Sequence, residues 1–344
     1  MAFSKKRSVI TRTPPPSGGG VEFLRTPAEP RSISLDFQTQ IRPVRPGEIE
    51  RSLLLLLTDP NDTPEEVIEK TKSFQQLASL QKYDLTRQMV AFQEGQIVCA
   101  SLFVPQPGRV AFVFQSPLIY GGSDLKVREL AVRTLQEACF WACQEGNRLL
   151  QVIVEPQDAA RQGLCRAAGF RLLTDLKYMI HDGKIKPPNV PAIKYDWLDY
   201  DKLHHELFKK IITETYQGSC DCPELENLRD IEDVISSHRA AGKFDAKLWK
   251  LLLFQGKPAG VLLLIPLPDQ QVMELTYMGL CPEARGKRLG EVLIAEALTC
   301  TNQYQRQFLT LAVDQRNHFA CRLYQNFGFV EILQRSVLIY SARK

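Results

Sequence analysis

Three consecutive stretches decide the reading of this chain: Glu274-Leu-Thr-Tyr-Met-Gly-Leu280, Cys281-Pro-Glu-Ala-Arg-Gly-Lys-Arg-Leu-Gly290 and Glu291-Val-Leu-Ile-Ala-Glu-Ala-Leu298. They read as a strand, a basic loop containing glycine, and a helix with apolar residues at helical spacing. Such a loop can turn backbone N–H groups toward a diphosphate, and the positive end of the helix dipole adds to the attraction. Gly286 and Gly290 permit close backbone approach, and Arg285, Lys287 and Arg288 bring charge for phosphate groups. A basic turn ahead of a helix is also what an ordinary exposed loop looks like, so the inference needs a second motif.

That motif follows the strand Phe308–Val313, in Asn317-His-Phe-Ala-Cys-Arg-Leu-Tyr-Gln-Asn-Phe-Gly-Phe329. Ala320, Leu323, Tyr324 and Phe327 fall on one helical face, and Gly328 can end the helix in a left-handed turn. The small Ala320 leaves room for a ligand. Together the two motifs resemble the GNAT superfamily of acetyltransferases. Its phosphate loop reads Q/R-x-x-G-x-G/A and its last helix N-x-x-A-x-x-L-Y-x-x-x-G-F. The resemblance covers roughly Pro191 to Lys344 and departs from the family at Arg288, where the middle glycine of the loop is usual.

The resemblance implies an N-acetyltransferase with acetyl-CoA as co-substrate and no metal, in which a primary amine attacks the thioester directly within a ternary complex. Met278 and Leu280 match strand positions whose backbone pairs with the pantetheine arm. Arg285, Gly286, Lys287, Arg288, Leu289 and Gly290 match the pyrophosphate loop, Asn317 the polar contact to the cofactor arm, and Ala320 the small residue beside it. Tyr324 matches the general acid that protonates the departing thiolate, a proton that a phenol of pKa about 10 can supply at neutral pH. Glu274 matches the strand glutamate that serves as base in several protein-acetylating relatives. Each has an ordinary alternative: a packed helix-face aromatic for Tyr324, a solvent-facing or structurally paired carboxylate for Glu274.

Working outward, 344 residues exceed what one core usually supports, and the pattern divides the chain in two. Residues 1–34, rich in Pro, Gly, Ser and Arg, read as a flexible basic tail, 35–183 as one domain, 184–191 as a linker, and 192–344 as a second domain. In the first domain a helix from Gly47 to Thr58 and another opened by Thr63-Pro-Glu-Glu66 precede a three-stranded meander. A helix over 124–145, a strand, a short helix and further strands over Phe170–Ile180 complete the order ααβββαβαβ. The order returns after the linker. Phe92-Gln93 is like Phe254-Gln255, Pro105 like Pro266, and Gly169-Phe170 like Gly328-Phe329. The expected fold class is therefore α/β (α+β), two tandem GNAT-like domains, each a mixed, mostly antiparallel sheet flanked by helices.

The first copy has Asp158, Arg161 and Cys165 where the second has Asn317, Ala320 and Tyr324, and its loop Ser116–Lys126 lacks the arginine-glycine pattern. It is expected to be catalytically degenerate, with a structural or substrate-shaping role. Composition narrows the rest. A charge of +4, from 43 basic against 39 acidic residues, does not announce a nucleic-acid partner. Nine scattered cysteines without a CxxC pair argue against a disulfide framework or zinc ribbon and suit a reducing cytoplasm. No apolar run approaches the ~20 residues of a membrane span. Cys220, Cys222, His204 and His205 lack the usual zinc spacing and read as loop residues. Two other readings stay open: a different acyl-CoA donor, or an acyl-CoA-binding or protein-interaction module without turnover.

Overall fold

The computed structural model describes residues 32–34, 39–59, 61–118, 125–184, 191–226, 228–268 and 271–341. Residues 1–31 of the expected basic tail, most of the 184–191 linker and the middle of the Ser116–Lys126 loop lie outside these residues, while the end of that tail, Ile33–Ser34, is a strand. The first half runs β1 (Ile33–Ser34), β2 (Thr39–Pro43), α1 (Ile49–Leu57), α2 (Pro64–Gln81), β3 (Gln88–Gln93), β4 (Gln96–Gln106), β5 (Val110–Gln115), α3 (Leu125–Gln144), β6 (Leu149–Val154), α4 (Ala159–Ala167) and β7 (Arg171–Asp182). The second runs β8 (Tyr195–Asp199), α5 (His205–Tyr216), α6 (Ile231–Arg239), β9 (Trp249–Phe254), β10 (Lys257–Pro266), β11 (Val272–Leu280), α7 (Leu289–Gln303), β12 (Phe308–Asp314), α8 (His318–Asn326) and β13 (Val330–Ser341).

Local chemistry sets the boundaries. The expected capping box opens α2: the Thr63 hydroxyl accepts from the Glu66 N–H at 3.3 Å, and the Glu66 carboxylate accepts from the Thr63 N–H at 2.8 Å. The hairpins β3–β4 and β9–β10 turn on Glu94-Gly95 (φ 50° and 78°) and Gln255-Gly256 (φ 54° and 72°). Positive φ at both central residues gives a turn whose twist suits the flanking strands. This register makes Gln93 the counterpart of Phe254, so the Phe-Gln likeness is one residue out of step. Pro105 and Pro266 do coincide, and both hairpins bulge at the same place, at Val98 and at Ala259. Three short strands escaped the sequence reading, β1 and β2 at the opening of the first half and β8 at that of the second, and the expected further strands over Phe170–Ile180 are the single strand β7.

The thirteen strands of the described residues form one sheet in the order β1-β2-β3-β4-β5-β6-β13-β7-β12-β11-β10-β9-β8. Only β5–β6 and β11–β12 pair in parallel. The last strand of each half has crossed to the other: β13 pairs with β6, β7 with β12, and the two pair with each other as a central antiparallel ribbon. The halves are thus related by a pseudo-twofold through the ribbon, and the boundary at 184–191 separates them in sequence but does not separate two self-contained sheets.

Alternation along the strands sends one set of side chains under α3 and α4 in the first half, including Ala111, Leu150 and Val152, and under α7 and α8 in the second, including Met273, Leu309 and Leu311. The opposite face carries α1 and α2 over Val90, Ala100 and Leu102, and α5 and α6 over Val261, Leu263 and Ile265. Among the described residues no helix is long and apolar enough to cross a membrane.

Candidate active site

The site begins where two parallel strands part. β11 and β12 pair from Val272–Phe308 to Leu275–Leu311, and then each runs on without the other, to Leu280 and Asp314. A bulge marks the spot: Thr276 is passed over between Leu275, paired with Leu264, and Tyr277, paired with Leu263. Such an extra residue bends and re-aims its strand. It leaves an opening in the sheet, bounded on one side by the β11 segment that holds Met278 and Leu280.

At the mouth of this opening the chain turns through Arg285–Gly290 into the 15-residue α7. Gly286 (φ 73°) and Arg288 (φ 60°) both lie in the left-handed region. The backbone explains the family preference for glycine at the second position; an arginine there is strained by roughly 1 kcal/mol. Among the described residues the N–H groups of Gly286, Lys287, Arg288, Leu289 and Gly290 donate to no protein acceptor. Five consecutive unsatisfied amides at the positive end of a helix form an anion cradle. Gly290 has a packing reason as well, since a Cβ there would lie 3.0 Å from Leu323 Cδ2 of α8.

The side chains of the loop depart from the sequence expectation. The Arg285 guanidinium donates to the carbonyls of Leu280 at 3.1 Å, Thr215 at 3.0 Å and Gly218 at 3.2 Å, so it ties the loop to the end of α5 and does not face a phosphate. That contact also occupies the Leu280 carbonyl. Arg288 is paired with Glu291 at 2.7 Å. Lys287, 5.6 Å from the Phe254 ring, has no acidic partner among the described residues. Leu289 is buried in the core and offers only its backbone. Backbone dipoles therefore dominate the cradle, with Lys287 as its uncommitted charge.

Asn317 caps α8, its Oδ1 accepting from the Ala320 N–H at 3.2 Å, which leaves its amide nitrogen to donate to another partner. Ala320 and Leu323 are half-buried against the α7–α8 core. Tyr324 is buried with its ring against Phe329. Its hydroxyl has no hydrogen-bond partner among the described residues. Desolvation pushes this phenol well above its ordinary pKa, and the nearby Asp221 and Cys321 add to the shift, so it holds its proton at neutral pH. Glu274 stands between Ile265 of β10 and Thr310 of β12, next to the end of the β11–β12 ladder. Its alternation with Met273 and Leu275, which face α7, puts it on the α5–α6 side of the sheet. Tyr324 and Glu274 thus flank the opening from opposite faces.

A buried ionic hub beside these residues went unseen in the sequence. The fully buried Asp314 carboxylate accepts from the Thr174 hydroxyl at 2.6 Å, the Cys222 N–H at 3.1 Å, the Arg316 N–H at 2.9 Å and the Arg316 guanidinium at 2.7 Å. The Asp314 N–H donates to Asp221 at 3.0 Å, and Arg316 reaches Glu224 at 2.6 Å. Burial alone would push the Asp314 carboxyl up, but the hydrogen bonds outweigh it and hold the group below the usual carboxylate value. The connection between α5 and α6 is pinned in this way over the end of β12, beside Asn317 and Tyr324. In sequence, Asp-x-Arg after a strand looks like any turn.

The first half repeats the opening, with β5–β6 pairing ending at Phe112–Gln151, but fills it differently. Arg161, at the place of Ala320, reaches Asp158 at 3.2 Å and Asp59, in the α1–α2 connection, at 3.4 Å. Cys165, at the place of Tyr324, is buried and its thiol is pushed up to about 12 by desolvation. Elsewhere His205, Glu206 and Glu232 lie close enough to share an ion, but they are largely exposed and Glu232 already pairs with Lys209 at 2.8 Å.

A mixed sheet that parts beside a strand-loop-helix anion cradle defines the fold of acetyl-CoA-dependent transferases of the GNAT type, here in tandem. Residues 209–329 match the model of the acetyltransferase (GNAT) family, and this part of the chain is a GNAT acetyltransferase domain. No curated protein matches the sequence. Among solved structures, a GCN5-related N-acetyltransferase from Sphaerobacter thermophilus is 16% identical with a TM-score of 0.56, over 90% of this chain and 98% of that one. A tandem GNAT protein from the clavulanic acid biosynthesis pathway is 15% identical with a TM-score of 0.49, over 89% and 99%. The fungal multi-domain GH3 β-N-acetylglucosaminidase with a GCN5-related glucosamine N-acetyltransferase region is 12% identical with a TM-score of 0.52, over 91% of this chain and 38% of that one.

Proposed function

We propose that the second half transfers an acetyl group from acetyl-CoA to a primary amine by direct attack in a ternary complex. The observation that carries this reading is the run of five unpartnered amides from Gly286 to Gly290, set beside the place where β11 and β12 part. The amides and Lys287 hold the pyrophosphate, while the pantetheine arm enters between the strands along Met278, past the Asn317 amide nitrogen and the small Ala320. The amine nitrogen then attacks the thioester carbonyl carbon. As the C–S bond breaks, the sulfur takes the proton of the Tyr324 hydroxyl, and Glu274, directly or through water, takes the proton that the amine loses. The Tyr324 phenolate then recovers its proton from water. The first half, with Arg161 and Asp59 across its opening, has no cofactor role.

Calorimetry with coenzyme A and steady-state kinetics on Tyr324→Phe test the assignment. Wild type should bind coenzyme A, and the variant should lose turnover by roughly 10²–10⁴-fold with cofactor affinity nearly unchanged. Absence of binding to intact, folded protein would remove the cradle assignment. Full turnover in the variant would remove Tyr324 as the acid.

A further inference from the structure

The pseudo-twofold allows the two halves to be compared position by position on the face that carries Glu274. In the first half, Val110, Leu149, Leu173, Val337 and Ile339 form a strip that is between 0% and 6% exposed. It is covered by Cys222, Leu225 and Leu228 of the α5–α6 connection, which reaches across the ribbon. Register fixes the equivalent strip in the second half. Val110 pairs with Leu149 as Val272 pairs with Phe308. Leu149 lies opposite Ser341, and Phe308 opposite Asp182, so Ile339 and Val337 correspond to Ile180 and Tyr178. Leu173 and Ile332 are each passed over in the β7–β13 ladder.

The second strip is therefore Val272, Phe308, Ile332, Tyr178 and Ile180, apolar at each position. Four of the five are only half-buried, and Ile332 is 41% exposed. The reason is connection length. The α5–α6 connection spans 217–230, whereas the α1–α2 connection spans only 58–63 and is too short to return the cover.

We infer that this strip holds the body of the acceptor, and that the acceptor is a primary amine joined to an apolar, aromatic or branched aliphatic group. Glu274, Thr310, Ile180 and Val330 are Cα partners in one row across four neighbouring strands. At about 4.8 Å per strand, Ile180 lies about 10 Å from Glu274. An amine at the β11–β12 opening would thus lay an apolar group over Ile180 and Val330 at that reach. Tyr178 and Ile180 belong to β7, so the first half acts in the reaction by lending one wall of the acceptor site. This inference rests on the transfer reading and adds the acceptor's chemistry to it.

The test uses the full chain, a panel of arylalkyl and alkyl amines against aminosugars and polyamines, and the variants Ile180→Asp and Ile332→Asp. Coenzyme A affinity by calorimetry is the control, and Ile332→Asp, at an exposed position, decides the matter should Ile180→Asp fail to fold. Wild type should favour the apolar amines by roughly tenfold or more in kcat/KM, and each variant should lose a similar factor for them alone while coenzyme A affinity holds. A preference for polar amines, or variants that leave acceptor kcat/KM unchanged, would overturn it. So would a dimer that Ile332→Asp dissociates without loss of turnover, because a second copy would then own the strip. Wild type that binds coenzyme A but releases none with any amine would instead sink the transfer reading itself.

Discussion

Replacing Asp314 by alanine removes the acceptor at the centre of the hub and should destabilise the protein by about 3–5 kcal/mol, the cost of breaking a buried ionic network by deleting one partner. The contacts apportion the loss. The Cys222 and Arg316 amides each lose their carboxylate acceptor, at about 1–3 kcal/mol for every buried donor left unpaired. Thr174 can turn to the Asp175 carbonyl, already 3.3 Å away, and Arg316 keeps Glu224, so these two add little. Urea unfolding followed by circular dichroism, with coenzyme A calorimetry under native conditions, reads both consequences: a lower midpoint, and weaker binding because the α5–α6 connection beside Asn317 and Tyr324 is released. The pH dependence has a definite sign. Because the folded carboxyl titrates below its ordinary value of about 3.9, its contribution is complete above that value and disappears as the pH falls through the lower, folded one. Asp314→Asn should flatten that part of the acid limb. A loss under about 1 kcal/mol for Asp314→Ala, the worth of an exposed pair, would refute the hub.

Two further expectations concern the joining of the halves. Gly108, in the turn that meets α6, has φ 83°, and a Cβ there would fall 2.1 Å from the Asp233 carbonyl oxygen. Gly108→Ala should therefore lower the thermal midpoint and loosen the neighbouring Arg109–Asp233 ion pair, now 2.6 Å; an unchanged midpoint would show that α6 is not held there. Cutting the chain between Gly183 and Pro191 at an inserted protease site should leave one native particle in size-exclusion chromatography, since β7 and β13 each complete the other half's sheet. Two separable folded fragments would contradict the exchange.

The sequence by itself determined what depends on near neighbours. Periodicity placed most helices and strands, the Thr63–Glu66 box announced the start of α2, and the Arg285–Gly290 and Asn317–Phe329 motifs marked a loop and helix whose backbone geometry follows from glycine and cap chemistry. It also marked the first copy as altered at Arg161 and Cys165. The short opening strands β1, β2 and β8 escaped because a few residues with mixed pattern carry almost no periodic signal.

Only the tertiary structure decided which half each last strand completes. Either β7 or β13 satisfies the same hydrogen-bond ladder and the same apolar alternation, so local pattern cannot choose between a strand kept and a strand exchanged. The diversion of Arg285 to three carbonyls, the burial of Asp314 under a connection about 90 residues away in the chain, and the exposure of Val330 and Ile332 beside Ile180 follow from that choice. Each is fixed by long-range packing, which gives no short-range pattern in the chain.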